Sequence, residues 1–161
     1  MSFQICMRTD KSLQQLSTEI RNLFALPPFQ ENSFAGQSYC QFEVLGLLIL
    51  IHPAEEEDRD LEVINYPYCF DLQMAFVDHN LDADHMEYQL QPYYAQLLSF
   101  HLGVDTAYHE KQKVSNRWHI RYRFYSKNHK WNPDILYGEP GWEPAVLEAT
   151  PSSWRTMHPV F

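Results

Sequence analysis

The chain has 161 residues, of which 45% are hydrophobic and 15% aromatic, and its formal net charge is −9 at pH 7. That length fits one domain with a sizeable core, and the large apolar share excludes a chain that is disordered throughout. The acidic balance argues against non-specific nucleic-acid binding, which depends on positive charge. Residues 1–8 lack a basic start followed by an apolar run, so we expect no signal peptide and a cytoplasmic location.

The N-terminal residues predict a short strand followed by an amphipathic helix. Apolar and polar side chains alternate over residues 3–7, which is the period of a strand. We expect Thr9-Asp10 to cap the helix, Pro27-Pro28 to end it, and residues 30–38 to form a polar loop. The helix itself is predicted by apolar residues at spacings of three and four, namely Leu13, Leu16, Ile20, Leu23 and Phe24.

Residues 39–77 predict the centre of the sheet, as two long strands joined by an acidic loop. Residues 44–51 are almost entirely apolar, as in a strand that is covered on both faces. His52-Pro53 would end this strand, because proline has no N–H for the ladder. Alternation resumes over residues 68–76, and residues 61–65 before them also have a strand-like composition.

A second helix is predicted in the middle of the chain. Asp84 and Glu87 have the spacing of a capping box, and we expect the helix to run from there to Leu102. Gly103 would end it. Pro92 lies either in its first turn or at a kink.

The last third of the chain predicts two strands and an irregular extension. Residues 104–109 form a short strand in this interpretation, and residues 118–125 a longer one. Residues 131–161 contain five prolines and three tryptophans, and we expect them to pack over the domain with a short helix near 143–149.

The order of these elements predicts an α+β fold. We expect an antiparallel sheet of about five strands with two helices on one face, in a ferredoxin-like or split βαβ order. Residues 1–130 would form this α+β domain, and residues 131–161 would form a Pro- and Trp-rich extension packed on the same domain. Such an order carries no function by itself.

The distribution of charge supplies the first functional hypothesis. Residues 1–103 carry 15 acidic and 4 basic side chains, whereas residues 104–161 carry 6 and 8. An acidic surface can steer a protein onto a basic partner. We therefore expect a non-enzymatic protein-binding or regulatory module, similar in charge and size to inhibitor and immunity proteins, which could also pair with a second copy through an edge strand. Its binding residues would be Glu55, Glu56, Glu57, Asp58 and Asp60.

The second hypothesis is a nucleic-acid-binding sheet. Residues 111–130 contain seven basic side chains and no acidic one. An open sheet face can stack bases on aromatic rings and hold phosphates with arginine. The residues that would do so are Arg117, Arg121, Arg123 and Tyr125.

The third hypothesis is a metal-dependent enzyme. Histidine and aspartate cluster over residues 78–85, and these side chains are common ligands of zinc and other divalent ions. The ligands would be His79, Asp82 and His85, with His52 or His109 as an additional ligand. The spacing matches no established motif, and the chain has neither a G-x-S-x-G nor an H-E-x-x-H sequence, so we expect no cofactor and favour a protein that is not an enzyme.

The three cysteines have no metal-binding or redox spacing. Cys6, Cys40 and Cys69 each fall in a predicted strand with apolar neighbours, and no C-x-x-C sequence is present. This pattern indicates small, buried thiols.

Overall fold

One antiparallel sheet and two helices make up the described part of the chain. The computed structural model describes residues 3–55, 59–74 and 83–157. Within these ranges the elements are, in order, β1 (Gln4–Arg8), α1 (Leu13–Phe24), β2 (Gln30–Phe34), β3 (Gln37–Val44), β4 (Leu47–Pro53), a 3-10 helix (Leu61–Val63), β5 (Tyr68–Met74), α2 (Ala83–Leu102), β6 (Asp105–Val114), β7 (Arg117–Lys127), β8 (Val146–Glu148) and β9 (Arg155–Thr156). The strands form one sheet in the order β2-β3-β4-β5-β1-β6-β7-β8, and β9 also pairs with β7.

The predicted fold, a five-stranded sheet with two helices on one face, is wrong. The sheet has nine strands among the described residues, and β1 lies at its centre between β5 and β6. Every strand pair in the described ranges is antiparallel.

The described residues contain three tight hairpin turns, two of which account for the additional strands β2 and β4. The turns lie at Ala35-Gly36, Leu45-Gly46 and Ser115-Asn116, and both residues of each have a positive φ. This backbone conformation is the type I′ turn, whose twist matches that of the paired strands. Residues 30–38, predicted as a loop, therefore form β2 and the start of β3. The predicted continuous strand over 39–51 is also wrong, because it folds back on itself at Leu45.

Both helices are confirmed close to their predicted limits. The cap of α1 is Ser12 rather than Thr9-Asp10, since the Ser12 hydroxyl accepts a 3.1 Å hydrogen bond from the backbone N–H of Gln15. Helix α2 continues through Pro92 and ends before Gly103, whose N–H donates to the carbonyl of Ser99. Neither helix in the described ranges is long and apolar enough to cross a membrane.

The main hydrophobic core lies between the sheet and the helices. Alternate residues of β1, β3, β4 and β5 point into it, together with one ring each from β6 and β7. The face of the sheet that carries these side chains is called the helix face below. The fully buried members of this core include Phe3, Ile5, Met7, Leu16, Ile20, Phe42, Ile51, Phe70, Leu72 and Leu98.

The opposite face, called the outer face below, has a smaller core of its own. It is formed where Val63 and Tyr66, which precede β5, pack against side chains of β1, β5, β6 and β7. Residues 61–65 were predicted as a strand, but they contain a 3-10 helix that buries Val63 against this face. The buried members of the cluster are Cys6, Val63, Tyr66, Cys69, Ala107 and Tyr122.

The C-terminal segment runs along the side of β7. β8 and β9 both pair with this strand, and between them the N–H groups of Ala149 and Ser152 donate to carbonyl groups of β7. The helix predicted near 143–149 is therefore wrong. The backbone groups of residues 146–157 form hydrogen bonds with the edge of β7 and do not form the hydrogen bonds of a helix.

Candidate functional site

The two edges of the sheet differ in how well they are protected against pairing with a further strand. At one edge, residues 146–157 follow β7 and leave only the short strands β8 and β9, of three and two residues, at the outside. At the other edge, β2 pairs with β3 alone among the described residues, and all five of its residues are exposed. Proteins usually shield an edge with very short strands, charges or proline. In the described part of the chain, β2 is thus the unshielded edge.

The composition around β2 makes this edge acidic and free of positive charge. Residues 27–51 contain two charged side chains, Glu31 and Glu43, and no lysine, arginine or histidine. Lysine is the side chain that most often blocks strand addition, and β2 also lacks proline. Phe34, at the end of β2, exposes 78% of its surface. The edge therefore combines unpaired backbone groups, negative charge and an exposed aromatic ring.

A groove extends from β2 across the outer face to β5. We call it the outer groove, and its volume is about 430 Å³. Its lining is mainly apolar near β2 and β4 and becomes polar towards β5. The lining residues are Phe34, Gln37, Ser38, Tyr39, Gln41, Leu48, Leu50, His52 and Asp71.

The alternation of β4 explains why the groove is apolar. Ile49 and Ile51 are buried in the helix-face core. Their neighbours Leu48 and Leu50, together with His52, therefore point to the outer face. Because β4 has apolar side chains on both of its faces, residues 47–51 form a continuous apolar run in the sequence.

His52 and Asp71 form the polar end of the groove. Nε2 of His52 lies 2.7 Å from Oδ2 of Asp71, and its Nδ1 lies 3.0 Å from the carbonyl oxygen of Pro53. Burial lowers the pKa of His52, but the hydrogen bond and the negative charge of Asp71 outweigh burial and raise that pKa above its ordinary value. The Asp71 side chain is only 1% exposed, and among the described residues its Oδ1 has no hydrogen-bond partner.

A second cavity of about 310 Å³ adjoins the outer groove and shares Gln37 and His52 with it. We call it the arch cavity, because residues 54–55 and 59–66 of the connection between β4 and β5 contribute to its lining. Arg59 holds this connection in place by donating hydrogen bonds to the carbonyl groups of Ala54 and Ile64. The sulfur-bearing side chains of Cys6 and Cys69 also line the cavity.

Two of the five predicted acidic binding residues, Glu55 and Asp60, lie in the described part of the chain. Glu55 is exposed, and Glu56, Glu57 and Asp58 lie outside the described residues. Asp60 is engaged within the fold, because it accepts a 2.6 Å hydrogen bond from the Tyr122 hydroxyl and pairs with Arg155 at 2.7 Å. Binding of a partner by these five acids stays a prediction.

The predicted basic strand is confirmed as β7, but its charges are largely paired. Glu110 on β6 bonds Arg121 at 2.8 Å and Arg123 at 2.7 Å, and Arg123 also pairs with Glu148. Although burial raises the pKa of Glu110, the two arginine hydrogen bonds lower it below its ordinary value. Arg117, by contrast, is exposed near the hairpin turn.

Tyr125, the aromatic residue among the predicted nucleic-acid-binding residues, is buried. Tyr125 is 4% exposed and stacks on Tyr108, with ring centres 6.1 Å apart, in the helix-face core. A base could not stack on this ring without displacing α2 from the sheet. The geometry therefore offers little support for the nucleic-acid hypothesis, which stays a prediction.

The proposed metal ligands fall mostly outside the described residues. His79 and Asp82 belong to the undescribed part of the chain, and His85 is exposed on the first turn of α2. The other candidate ligands, His52 and His109, lie on different strands. Among the described residues, no group of three or more metal-binding side chains comes together.

Sequence reasoning missed both β2 and the pairing of His52 with Asp71. The signal for β2 was weak, because QENSF lacks the apolar alternation of a half-buried strand. Alternation along β4 and along β5 places the side chains of His52 and Asp71 on the outer face. Their contact depends on the register of β4 on β5, in which Leu50 lies opposite Asp71 and His52 opposite Cys69.

Comparisons of this chain with protein-family models, with curated proteins and with solved structures found no match.

Proposed function

We propose that the protein is a non-enzymatic protein-binding module that adds an extended, basic segment of a partner protein to the free edge of β2. The observation that carries the proposal is that, within residues 3–55, 59–74 and 83–157, one edge of the sheet is protected and the β2 edge is not. An unpaired edge presents N–H and C=O groups in the repeat that a further strand requires, and main-chain hydrogen bonds then supply affinity.

The charge of the edge favours a basic partner over a second copy of this chain. Glu31 and Glu43 are the charged side chains of residues 27–51. In a dimer formed through β2, each edge would meet another that has negative charges and no positive one. A segment that carries lysine or arginine supplies the complementary charge and also speeds the encounter.

The position of Phe34 indicates that the partner's segment should also carry apolar side chains. Phe34 lines the outer groove and is also the last residue of β2. In an added strand, alternate side chains would point to the outer face beside this ring. The expected ligand is therefore an extended segment in which apolar residues alternate with basic ones.

A selection from displayed random peptides tests this proposal. We expect the selected peptides to be basic and free of proline, and to protect the amides of β2 and β3 from hydrogen exchange. Introducing lysines with Asn32→Lys and Ser33→Lys should weaken their binding by about tenfold or more, because like charges then meet at the edge. Leu147→Lys is the matched control, since it places a lysine on the exposed β8 at the opposite edge.

Three results would contradict the proposal. The selection could yield no binder, the binders could tolerate both lysines on β2, or Leu147→Lys could weaken binding equally. A concentration-dependent dimer that Asn32→Lys abolishes would show that the edge serves a second copy of the chain instead.

A further inference from the structure

The register of the central strands places two cysteines directly opposite each other. Cys6 on β1 pairs with Cys69 on β5, and both belong to the cluster on the outer face. Directly opposed residues of antiparallel strands have Cα atoms about 4.5 or 5.5 Å apart, according to the hydrogen-bonding position. Both values lie within the range of about 4.4 to 6.8 Å that a disulfide spans.

The two thiols also interact and can be reached from the arch cavity. The hydrogen bond to Cys6, followed by burial, raises the pKa of Cys69, so that this thiol stays protonated at neutral pH. Cys6 is the more exposed of the two, at 8% against 4%. Since both side chains line the arch cavity, a small reagent that enters it can reach Cys6, the more exposed thiol.

We propose that Cys6 and Cys69 are a reversible oxidation site that closes to a cross-strand disulfide by exchange with a low-molecular-weight disulfide such as oxidised glutathione. The Cys6 thiolate attacks one sulfur of the reagent, forms a mixed disulfide and releases one small thiol. Cys69 then loses its proton and attacks the Cys6 sulfur, which releases the second small thiol. The protein gives up two protons and two electrons, and the reagent takes up both.

The third cysteine provides an internal control. Cys40 is fully buried on the helix face, and its strand neighbours in the register are Glu31 and Ile51. It faces away from the outer cluster, so it should take no part in the exchange. A disulfide between Cys6 and Cys69 would also link β1 to β5 covalently and enclose α1, β2, β3 and β4 in one loop.

The test treats the full chain with glutathione buffers of increasing oxidised fraction at pH 8, followed by alkylation and peptide mass mapping. We expect a Cys6–Cys69 cross-link that loses two hydrogen atoms, is reversed by dithiothreitol and raises the melting temperature by about 5 to 10 °C. Cys40 should be alkylated only after unfolding. Cys69→Ser should trap one glutathione on Cys6, whereas Cys40→Ser should oxidise like the wild type.

Other outcomes would overturn the proposal. These are a wild-type chain that stays reduced in the most oxidised buffer, a mixed disulfide that persists without closing, or a cross-link that involves Cys40. Circular dichroism of each variant shows whether it is folded. If a serine variant is unfolded, the corresponding alanine variant replaces it.

Discussion

His52 on β4 and Asp71 on β5 are joined by a 2.7 Å hydrogen bond between Nε2 and Oδ2 on the outer face of the sheet. The other ring nitrogen of His52 also faces an acceptor, the carbonyl oxygen of Pro53 at 3.0 Å. An imidazole with an acceptor at each nitrogen satisfies both of them only when it is protonated. The arrangement therefore favours an imidazolium–carboxylate pair at the polar end of the outer groove.

Removing one partner of this pair should destabilise the protein more than removing both. His52→Leu leaves the Asp71 carboxylate buried without its partner, and we expect the free energy of unfolding to fall by about 3 kcal/mol. In the double variant His52→Leu/Asp71→Leu, most of this loss should be recovered, because no buried charge remains. Urea unfolding measures all three proteins. A double variant that loses at least as much as His52→Leu would show that the carboxylate is not the source of the cost.

The same pair predicts a loss of stability at alkaline pH. The folded pKa of His52 is raised above the ordinary value of 6.5, so the protonated form is bound more tightly in the folded state. The contribution is therefore complete below pH 6.5 and disappears as the pH rises through the folded pKa. We expect the free energy of unfolding to decrease from pH 6 to pH 9 in the wild type, and this decrease to be absent in His52→Gln. Proton NMR of the imidazole gives the pKa directly, and a value below 6.5 would contradict the prediction.

The lowered pKa of His109 predicts a loss of stability at acidic pH. Burial, followed by the nearby charge of Lys111, lowers its pKa from 6.5 to about 4. The unfolded chain then binds a proton between these values that the folded chain does not, so stability falls as the pH drops from 6.5 to 4. The loss should be about 2 to 3 kcal/mol, less than the full shift would give because His109 is only partly buried. His109→Phe, which keeps a ring beside Tyr122, should flatten this part of the profile. An unchanged slope would assign the acid loss to other groups.

The turn between β3 and β4 can be stabilised by one substitution. Leu45 has a φ of 49° and exposes 97% of its surface, so it bears the strain of a left-handed backbone without burying its side chain. We expect Leu45→Asn to raise the free energy of unfolding by about 0.5 to 1 kcal/mol, because asparagine tolerates this conformation. Gly46→Ala, at a φ of 77°, is the matched control and should lower it by about 1 kcal/mol. Stabilisation by both substitutions would argue against a type I′ turn.

The parts of the fold that follow a strong local period were predicted well. The three- and four-residue spacing over α1 marks its buried face, and the alternation over β7 marks a strand. The structure places both elements where those patterns indicate. The hairpin turns had no such signal. The strongest marker of a type I′ turn is Asn-Gly or Asp-Gly, whereas these turns begin with Ala35, Leu45 and Ser115.

The candidate site could not be predicted, because it depends on relations between strands. The sequence gives the alternation within β4 and within β5, but their register decides that His52 meets Asp71. The opposition of Cys6 and Cys69 depends in the same way on β1 lying beside β5, far along the chain. The free edge of β2 follows from the absence of a further strand beside it in the described ranges, which no local pattern records.

The central position of β1 sets the order in which a ribosome can complete this sheet. Arg8 of β1 and its ion-pair partner Asp105 of β6 are 97 positions apart. At a synthesis rate of about 5 to 20 residues per second, some 5 to 20 seconds separate their production. During that interval β1 lacks one of its two neighbouring strands, and an unpaired strand edge can form hydrogen bonds with another chain. The sheet can therefore close around β1 only after β6 has been synthesised.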